Sequence, residues 1–193
     1  MGKAVAIMQP YFVPYLGYFR LFSQTDLFVI YDCVQFPRRG YVHRNQVPDR
    51  NGAPLWLTLP LEKCDQKTAI VDLQWRQSDC AAFGERIRQL ACDWPLQVPA
   101  GLREQWLAQL TNFNGGVVDY LERTLGFVCR QLDLHCNFIR SSSLHIDPAL
   151  KGPDRILEIC RQVGTTRYVN SPGGRELYQV DIFAHAGIEL GFL

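Results

Sequence analysis

The chain begins with an apolar run, a proline-bounded loop and an amphipathic segment, and this order constrains its fold more than any other feature. Residues 4–8 (AVAIM) are typical of a buried strand, and apolar side chains recur at helical spacing over residues 16–22. A second apolar run, LFVIY at 27–31, completes a strand, helix and strand unit. Because such units connect parallel strands, the sequence predicts a parallel sheet.

The rest of the chain alternates helical and strand-like patterns around one hairpin. Asn51 and Gly52 form a turn signal between an extended segment and the alternating leucines that follow it. Periodicity predicts helices at about 80–93, 101–112, 117–133 and 154–163, and strands at 137–144, 167–170 and 188–193. We therefore expect an α/β fold with a mainly parallel central sheet flanked by helices, Rossmann-like, with a hairpin insertion around residues 41–60.

Length and composition exclude several classes of protein. The chain has 193 residues, enough for one hydrophobic core, and we expect a single domain over residues 1–193. Its formal net charge of +1 lacks the broad basic field of nucleic-acid binders. No apolar run approaches the roughly 20 residues of a membrane helix, and Gln9 and Pro10 interrupt the first run as no secretory signal would. We expect a cytoplasmic protein without a membrane span.

Cysteines and histidines predict neither a metal site nor a cofactor. The chain has seven cysteines, an odd number without a CxxC pair, and four histidines without the spacing of zinc ligands. Reduced and mostly buried thiols are therefore expected. Cys33 could be a nucleophile if a nearby His43 or arginine lowered its pKa, but a lone cysteine is more often inert packing.

The first loop carries the most prominent candidates for a ligand site. Gln9, Tyr11, Tyr15 and Tyr18 follow the first predicted strand at the start of a helix. Ligands of open α/β sheets bind beyond the carboxyl ends of the strands, and tyrosine rings stack on bases and sugars. Packing of the helix onto the sheet is the alternative. For Gln9 and Tyr11 both interpretations stay open.

Asp32 follows the second predicted strand and would share an edge with Gln9 if these strands are parallel neighbours. Its carboxylate could act as a general base, accept a hydrogen bond from a substrate, or cap a turn. A further group of polar residues follows a later strand: Ser141, Ser142, Ser143, Lys151, Asp154 and Arg155.

Two other segments offer donors to an anion. Arg44 and Asn45 belong to PRRGYVHRN, which could hold a diphosphate or a carboxylate. Because alternate residues of a strand point to opposite faces, Arg44 is not expected to share a face with Asn45. Asn170 ends a predicted strand, and the pair Gly173 and Gly174 follows, although its spacing matches no known phosphate-binding motif.

Together, MQPYFVPYLGYFRLF, FVIYDCVQF, YVHRN with LWLTLPL, and RYVNSPGGRELY with GIELGFL resemble the WbqC-like family over nearly the whole chain. That family is associated with the biosynthesis of O-antigen lipopolysaccharide and other bacterial surface polysaccharides. By position, the resemblance adds Thr58 and Tyr178 to the candidates. Family members commonly have a second acidic residue where this chain has Cys33. They also usually continue past GIELGFL, which leaves open that a C-terminal portion is missing here.

The resemblance implies a transferase that acts on a small molecule, a nucleotide-sugar or another phosphate-bearing metabolite, by moving an acyl or aminoacyl group onto an amino group. The expected catalytic residues are Asp32, Tyr11 and Arg44. The expected substrate-binding residues are Gln9, Tyr15, Tyr18, Asn45, Thr58, Asn170, Gly173, Gly174 and Tyr178. One alternative is a nucleotidyltransferase of the HIGH type, although the histidines of that motif are absent. Another is a non-enzymatic binding partner in glycan assembly. A homodimer is compatible with all three hypotheses.

Overall fold

The computed structural model of the chain describes residues 2–93 and 99–193. Its strands are β1 (Ala4–Met8), β2 (Leu27–Ile30), β3 (Arg44–Pro48), β4 (Pro54–Thr58), β5 (Phe138–Arg140), β6 (Arg167–Asn170) and β7 (Glu189–Phe192). Its α-helices are α1 (Leu16–Gln24), α2 (Gln77–Asp93), α3 (Ala100–Leu110), α4 (Val117–Gln131), α5 (Gly152–Val163) and α6 (Val180–His185). Short 3₁₀ helices cover Ile70–Asp72, Ser141–Ser143 and Pro172–Gly174.

The chain divides into two compact units. Unit 1 comprises Met1–Pro10, Tyr15–Cys33 and Cys129–Leu193, and unit 2 comprises Tyr11–Pro14 and Val34–Val128. The expectation of a single domain over residues 1–193 stays a prediction.

Unit 1 contains a five-stranded parallel sheet in the order β5-β2-β1-β6-β7. The chain starts in the middle of the sheet at β1, extends outward through β2 to β5, and returns to the other side of β1 for β6 and β7. The predicted parallel, Rossmann-like α/β fold is therefore confirmed. Because the direction of winding reverses between β1 and β6, a crevice is expected beyond the carboxyl ends of these two strands.

Both faces of this sheet are covered, which explains the apolar runs in its strands. On one face, Val5 and Val29 belong to a buried cluster with Ile159 of α5. On the other, Phe22 of α1 stacks on Phe28 of β2, with ring centroids 4.3 Å apart. Full burial of such side chains contributes about 1.5–3 kcal/mol each. Strands buried on both faces have no polar alternation, as expected for parallel sheets.

Unit 2 contains the predicted hairpin. Strands β3 and β4 pair antiparallel, with Val47 opposite Leu55. The turn between them includes Gly52 at φ 82°, in the left-handed region that glycine adopts without strain. Unit 2 also contains α2, α3 and most of α4. An aromatic cluster forms part of its core. In this cluster the ring centroid of Phe12 lies 6.3 Å from that of Phe83 and 6.3 Å from that of Tyr120.

Candidate functional site

The carboxyl edge of the parallel sheet collects the candidates of unit 1. Met8 pairs with Ile30 at the ends of β1 and β2, so Gln9 and Asp32 emerge at the same edge, as predicted. On the other side of β1, strand β6 ends in Asn170. Polar side chains therefore follow three adjacent strands of one sheet, on both sides of the reversal in winding.

Asp32 is fully buried and its carboxylate accepts hydrogen bonds from the turn after β5. One oxygen accepts from the Ser141 hydroxyl at 2.9 Å and from the Ser142 backbone N–H at 2.8 Å. The other accepts from the Ser142 hydroxyl at 2.7 Å. In return, the Ser141 oxygen accepts from the backbone N–H groups of Asp32 and Cys33. The Asp32 carboxylate thus caps the turn at Ser141–Ser143, which is one of the roles considered from the sequence. A role for Asp32 as a base stays a prediction.

These hydrogen bonds also explain why the strand expected over residues 137–144 is shorter. Strand β5 ends at Arg140, and Ser141–Ser143 form a 3₁₀ helix. Serine and aspartate side chains bond to nearby backbone groups, which competes with strand pairing. Asp32 and Ser141 are separated by 109 residues in the sequence. No local sequence pattern therefore indicates this contact.

Asn170 and Gly174 form a second packed arrangement at this edge. The Asn170 side chain is 5% exposed, and its oxygen accepts from the Ser171 backbone N–H at 2.7 Å. A Cβ atom at Gly174 would lie 2.3 Å from the Asn170 amide nitrogen, whereas one at Gly173 would meet no atom within 4 Å. The two glycines therefore differ: the Asn170 side chain requires Gly174, and nothing nearby requires Gly173.

Two tyrosine hydroxyl contacts lie close to the same edge and were not predicted from the sequence. Tyr31, directly after β2, accepts a hydrogen bond from Arg155. Burial raises the pKa of Tyr31 to about 12, although Arg155 opposes this shift. Tyr168 of β6 donates to the hydroxyl of Tyr178, and burial raises the pKa values of both tyrosines. At neutral pH these hydroxyls are protonated and act as hydrogen-bonding groups.

The first-loop candidates of unit 1 differ in exposure. Tyr18 is 2% exposed, and its hydroxyl donates to the backbone carbonyl of Gln9 at 2.8 Å. Tyr15 is 65% exposed. The side-chain amide of Gln9 forms no hydrogen bond within the described part of the chain. Tyr18 therefore fixes the backbone after β1, while Gln9 and Tyr15 retain groups for a ligand.

Asn45 of unit 2 fixes the short segment 11–14. Its amide nitrogen donates to the backbone carbonyls of Phe12 and Val13, at 3.2 Å and 2.8 Å. Val13 has φ 43°, an uncommon conformation for a β-branched residue that costs on the order of 1–3 kcal/mol. Asn45 thus stabilises a strained loop, and binding of substrate by Asn45 stays a prediction.

Arg44 points to the opposite face of the hairpin from Asn45, as the alternation of a strand predicts. Its guanidinium lies 4.7 Å from the centroid of the Trp56 ring. Tyr41 stacks near Trp56 at 6.5 Å, and Tyr11 lies 5.5 Å from Tyr41. Tyr41 and Trp56 are 46% and 41% exposed. Tyr11 and Arg44 therefore belong to one partly exposed aromatic row, defined here as Tyr11, Tyr41, Trp56 and Arg44.

Thr58 lies opposite Arg44 in the hairpin, so its side chain is on the same face. The candidates thus form two sets. Unit 1 contains Gln9, Tyr15, Tyr18, Asp32, Asn170, Gly173, Gly174 and Tyr178, and unit 2 contains Tyr11, Arg44, Asn45 and Thr58. Sequence reasoning missed Tyr31, Tyr168, Tyr41 and Trp56. For Tyr31 a signal existed, because it is the last residue of the run LFVIY at a strand end.

Within residues 2–93 and 99–193, no group of three or more His, Cys, Asp or Glu side chains is arranged to hold a metal ion. All seven cysteines are free thiols, of which Cys80, Cys129 and Cys160 are buried. Thiols are thus less often buried than expected. No helix in the described part of the chain is long and apolar enough to cross a membrane.

The parallel sheet with polar groups at its carboxyl edge defines an α/β protein of the Rossmann-like class. The chain belongs to the WbqC-like protein family, whose model matches residues 9–193. It is similar to the uncharacterized protein Rv1507c of Mycobacterium tuberculosis, with 27% identity over 199 residues that cover 97% of this chain and 80% of the relative. No solved structure matches the chain significantly. The family resemblance noted from the sequence is confirmed.

Proposed function

We propose that this protein is a transferase of bacterial surface polysaccharide biosynthesis that binds a nucleotide-sugar at the carboxyl edge of its parallel sheet. One observation carries the proposal: β1 and β6, the two strands at the reversal in winding, are followed by Gln9 and end in Asn170. Ligands of open α/β sheets bind at this reversal. Carboxamides both donate and accept hydrogen bonds, which suits the hydroxyl and phosphate groups of a nucleotide-sugar.

The Asn170 region supports the same assignment. Its side-chain oxygen is used by the Ser171 N–H, while its amide nitrogen has no partner among the described residues. The hydrogen bond from Ser171 holds the side chain in place, and the absence of a Cβ at Gly174 leaves the space that the amide occupies. A side chain held in one orientation loses little conformational entropy on binding, so it favours recognition of a defined ligand.

The biological setting comes from what the resemblance to the WbqC-like family implies, a role in the biosynthesis of O-antigen and other surface polysaccharides. The reaction we propose is transfer of an acyl or aminoacyl group onto an amino group of the nucleotide-sugar. Asp32 would hold the edge between β2 and β5 through its hydrogen bonds to Ser141 and Ser142. Within unit 2, the aromatic row with Tyr11 and Arg44 would by itself suit a sugar ring or a phosphate, and it is a separate candidate surface.

Calorimetric titration with a panel of UDP-, GDP-, dTDP- and CMP-sugars tests the binding step. We expect one class to bind saturably, and Gln9→Ala and Asn170→Ala each to weaken binding about tenfold, the effect of a lost hydrogen bond to a polar ligand. Gln24→Ala is the matched control, because Gln24 is an exposed carboxamide at the last residue of α1. If a folded protein binds no member of the panel, the proposal is wrong.

A nucleotidyltransferase is the second candidate, and the sheet order favours it equally, because activation of a substrate by ATP or CTP also requires a nucleotide site at the reversal. The two are separated by their products. A nucleotidyltransferase releases pyrophosphate, whereas the proposed transferase releases the carrier of its acyl group. A coupled assay detects pyrophosphate during turnover with ATP or CTP. Release of pyrophosphate would support the nucleotidyltransferase and contradict the acyl or aminoacyl transferase.

A further inference from the structure

Unit 2 contains a cavity of about 640 Å³, and its lining includes the candidate Thr58 together with Arg38 and His43 of the segment PRRGYVHRN. The buried part of the lining is apolar and includes Phe36 and Leu59, which are 8% and 2% exposed. The exposed part carries the cationic side chains of Arg38 and Lys63. The cavity therefore combines an apolar interior with a charged entrance, and its volume lies within the range of about 300–1,000 Å³ for small-molecule sites.

Backbone hydrogen bonds hold the lining in place. The N–H of Leu59 donates to the His43 carbonyl at 2.7 Å, and the N–H of Arg76 donates to the Pro60 carbonyl at 2.8 Å. These bonds connect the end of β4 to the segments on both sides of it. Small-molecule sites are usually largely formed before the ligand arrives, and this cavity meets that condition.

The lining has an excess of positive charge. Arg76 lies 3.8 Å from Glu62 and 3.3 Å from Asp79, so its charge is compensated. Among the described residues, Arg38 and Lys63 form no ion pair. The guanidinium of Arg38 is oriented by a hydrogen bond of 2.5 Å to the Cys64 carbonyl, which uses one of its five donors. Two cations are thus available to an anion at the entrance.

His43 adds a neutral polar group to the same lining. Its ring packs edge-on against Phe36, with centroids 4.9 Å apart, and its Nδ1 atom is buried without a hydrogen-bond partner in the described protein. Burial, together with the charge of Arg44, lowers the pKa of His43 to about 4. At neutral pH the imidazole is uncharged, so the excess charge of the lining comes from Arg38 and Lys63.

We propose that this cavity binds a small organic phosphate, with the phosphoryl group on Arg38 and Lys63 and the organic part on Phe36 and Leu59. A phosphate monoester carries about −1.5 to −2 charges at pH 7, which matches the two unpaired cations. The planar fork of arginine suits phosphate oxygens. This site lies entirely within unit 2 and is independent of the nucleotide-sugar binding proposed for unit 1.

Titration with phenyl phosphate, inorganic phosphate and benzoate at constant ionic strength tests the ligand class. Phenyl phosphate is expected to bind saturably and about fivefold more tightly than either of the others, because it alone offers both a double charge and an apolar group. Tighter binding of benzoate, or no saturable binding of phenyl phosphate, would overturn the proposal.

Charge-removing variants locate the site. Arg38→Gln and Lys63→Gln are each expected to weaken phenyl phosphate binding about 3- to 10-fold, whereas the exposed controls Arg50→Gln and Lys67→Gln change it less than about twofold. An equal loss in the controls would indicate a diffuse electrostatic effect and contradict a defined site. A loss in Asn170→Ala would show that the probe occupies unit 1 instead, with the same consequence.

Discussion

The carboxyl edge of the sheet in unit 1 and the cavity in unit 2 use polar residues in opposite ways. At the sheet edge, the oxygens of Asp32 are occupied by the turn at Ser141 and Ser142. At the cavity, Arg38 and Lys63 form no ion pair among the described residues and lie in the lining. The difference shows that the residue type alone identifies a polar side chain. Whether that side chain stabilises the fold or is available to a ligand depends on the partners that surround it.

The largest effect is expected for Asp32→Ala. This change leaves two hydroxyls and one backbone N–H without their acceptor in a buried position, and should lower the free energy of unfolding by about 3–5 kcal/mol. Urea unfolding followed by circular dichroism measures it. Asp154→Ala, at an exposed position in the first turn of α5, should cost less than about 1 kcal/mol.

An opposite result would break the comparison between the two regions. If Asp32→Ala unfolds like the wild type but no longer binds or converts substrate, the carboxylate serves a ligand rather than the turn. Asp32→Asn refines this test, since an amide can still accept hydrogen bonds but cannot act as a base.

The sequence was sufficient for the fold because the relevant signals are local. The apolar runs at 4–8 and 27–31 predict parallel strands, and Asn51 with Gly52 predicts the hairpin. The site was less accessible, because its contacts join distant residues. The bonds from Ser141 to Asp32 and from Asn45 to Val13 span 109 and 32 residues, and neither has a periodic pattern. Strand alternation did correctly separate Arg44 from Asn45.

A second, smaller effect is expected at the glycine pair. Gly174→Ala would place a Cβ 2.3 Å from the Asn170 amide nitrogen, so the side chain must move, at a cost of about 1–3 kcal/mol. Gly173→Ala meets no atom within 4 Å and is the matched control. Thermal unfolding compares the two. Equal stability of both variants would show that Asn170 is free to reorient, which would weaken its role in recognising a ligand.

A third prediction extends the comparison to the hairpin. Asn45→Ala removes the donor to the Phe12 and Val13 carbonyls and should lower the free energy of unfolding by about 1–2 kcal/mol. Gln46→Ala, at the exposed neighbouring position, should change it by less than about 0.5 kcal/mol. If Asn45→Ala is instead as stable as the wild type and loses substrate binding, Asn45 belongs with the ligand-binding residues.

The smallest effect concerns His43 in the cavity lining. Burial beside Phe36, and then the charge of Arg44, lower the pKa of His43 to about 4 in the folded protein, against 6.5 for the unperturbed side chain. Between these values the unfolded chain binds a proton that the folded protein does not. The free energy of unfolding therefore falls as the pH decreases from 6.5 towards 4.

His43→Gln removes this contribution, which for a half-buried imidazole we expect to be about 1 kcal/mol after solvent screening. The free energy of unfolding is measured at pH 7 and at pH 4.5 for both proteins. We expect its decrease between these two pH values to be about 1 kcal/mol smaller in the variant than in the wild type. His135→Gln is the matched control, since that side chain is exposed. A pH dependence of His43→Gln equal to that of the wild type would show that the imidazole is already solvated. The cavity would then be more open than its lining indicates, and its binding would depend on the two cations alone.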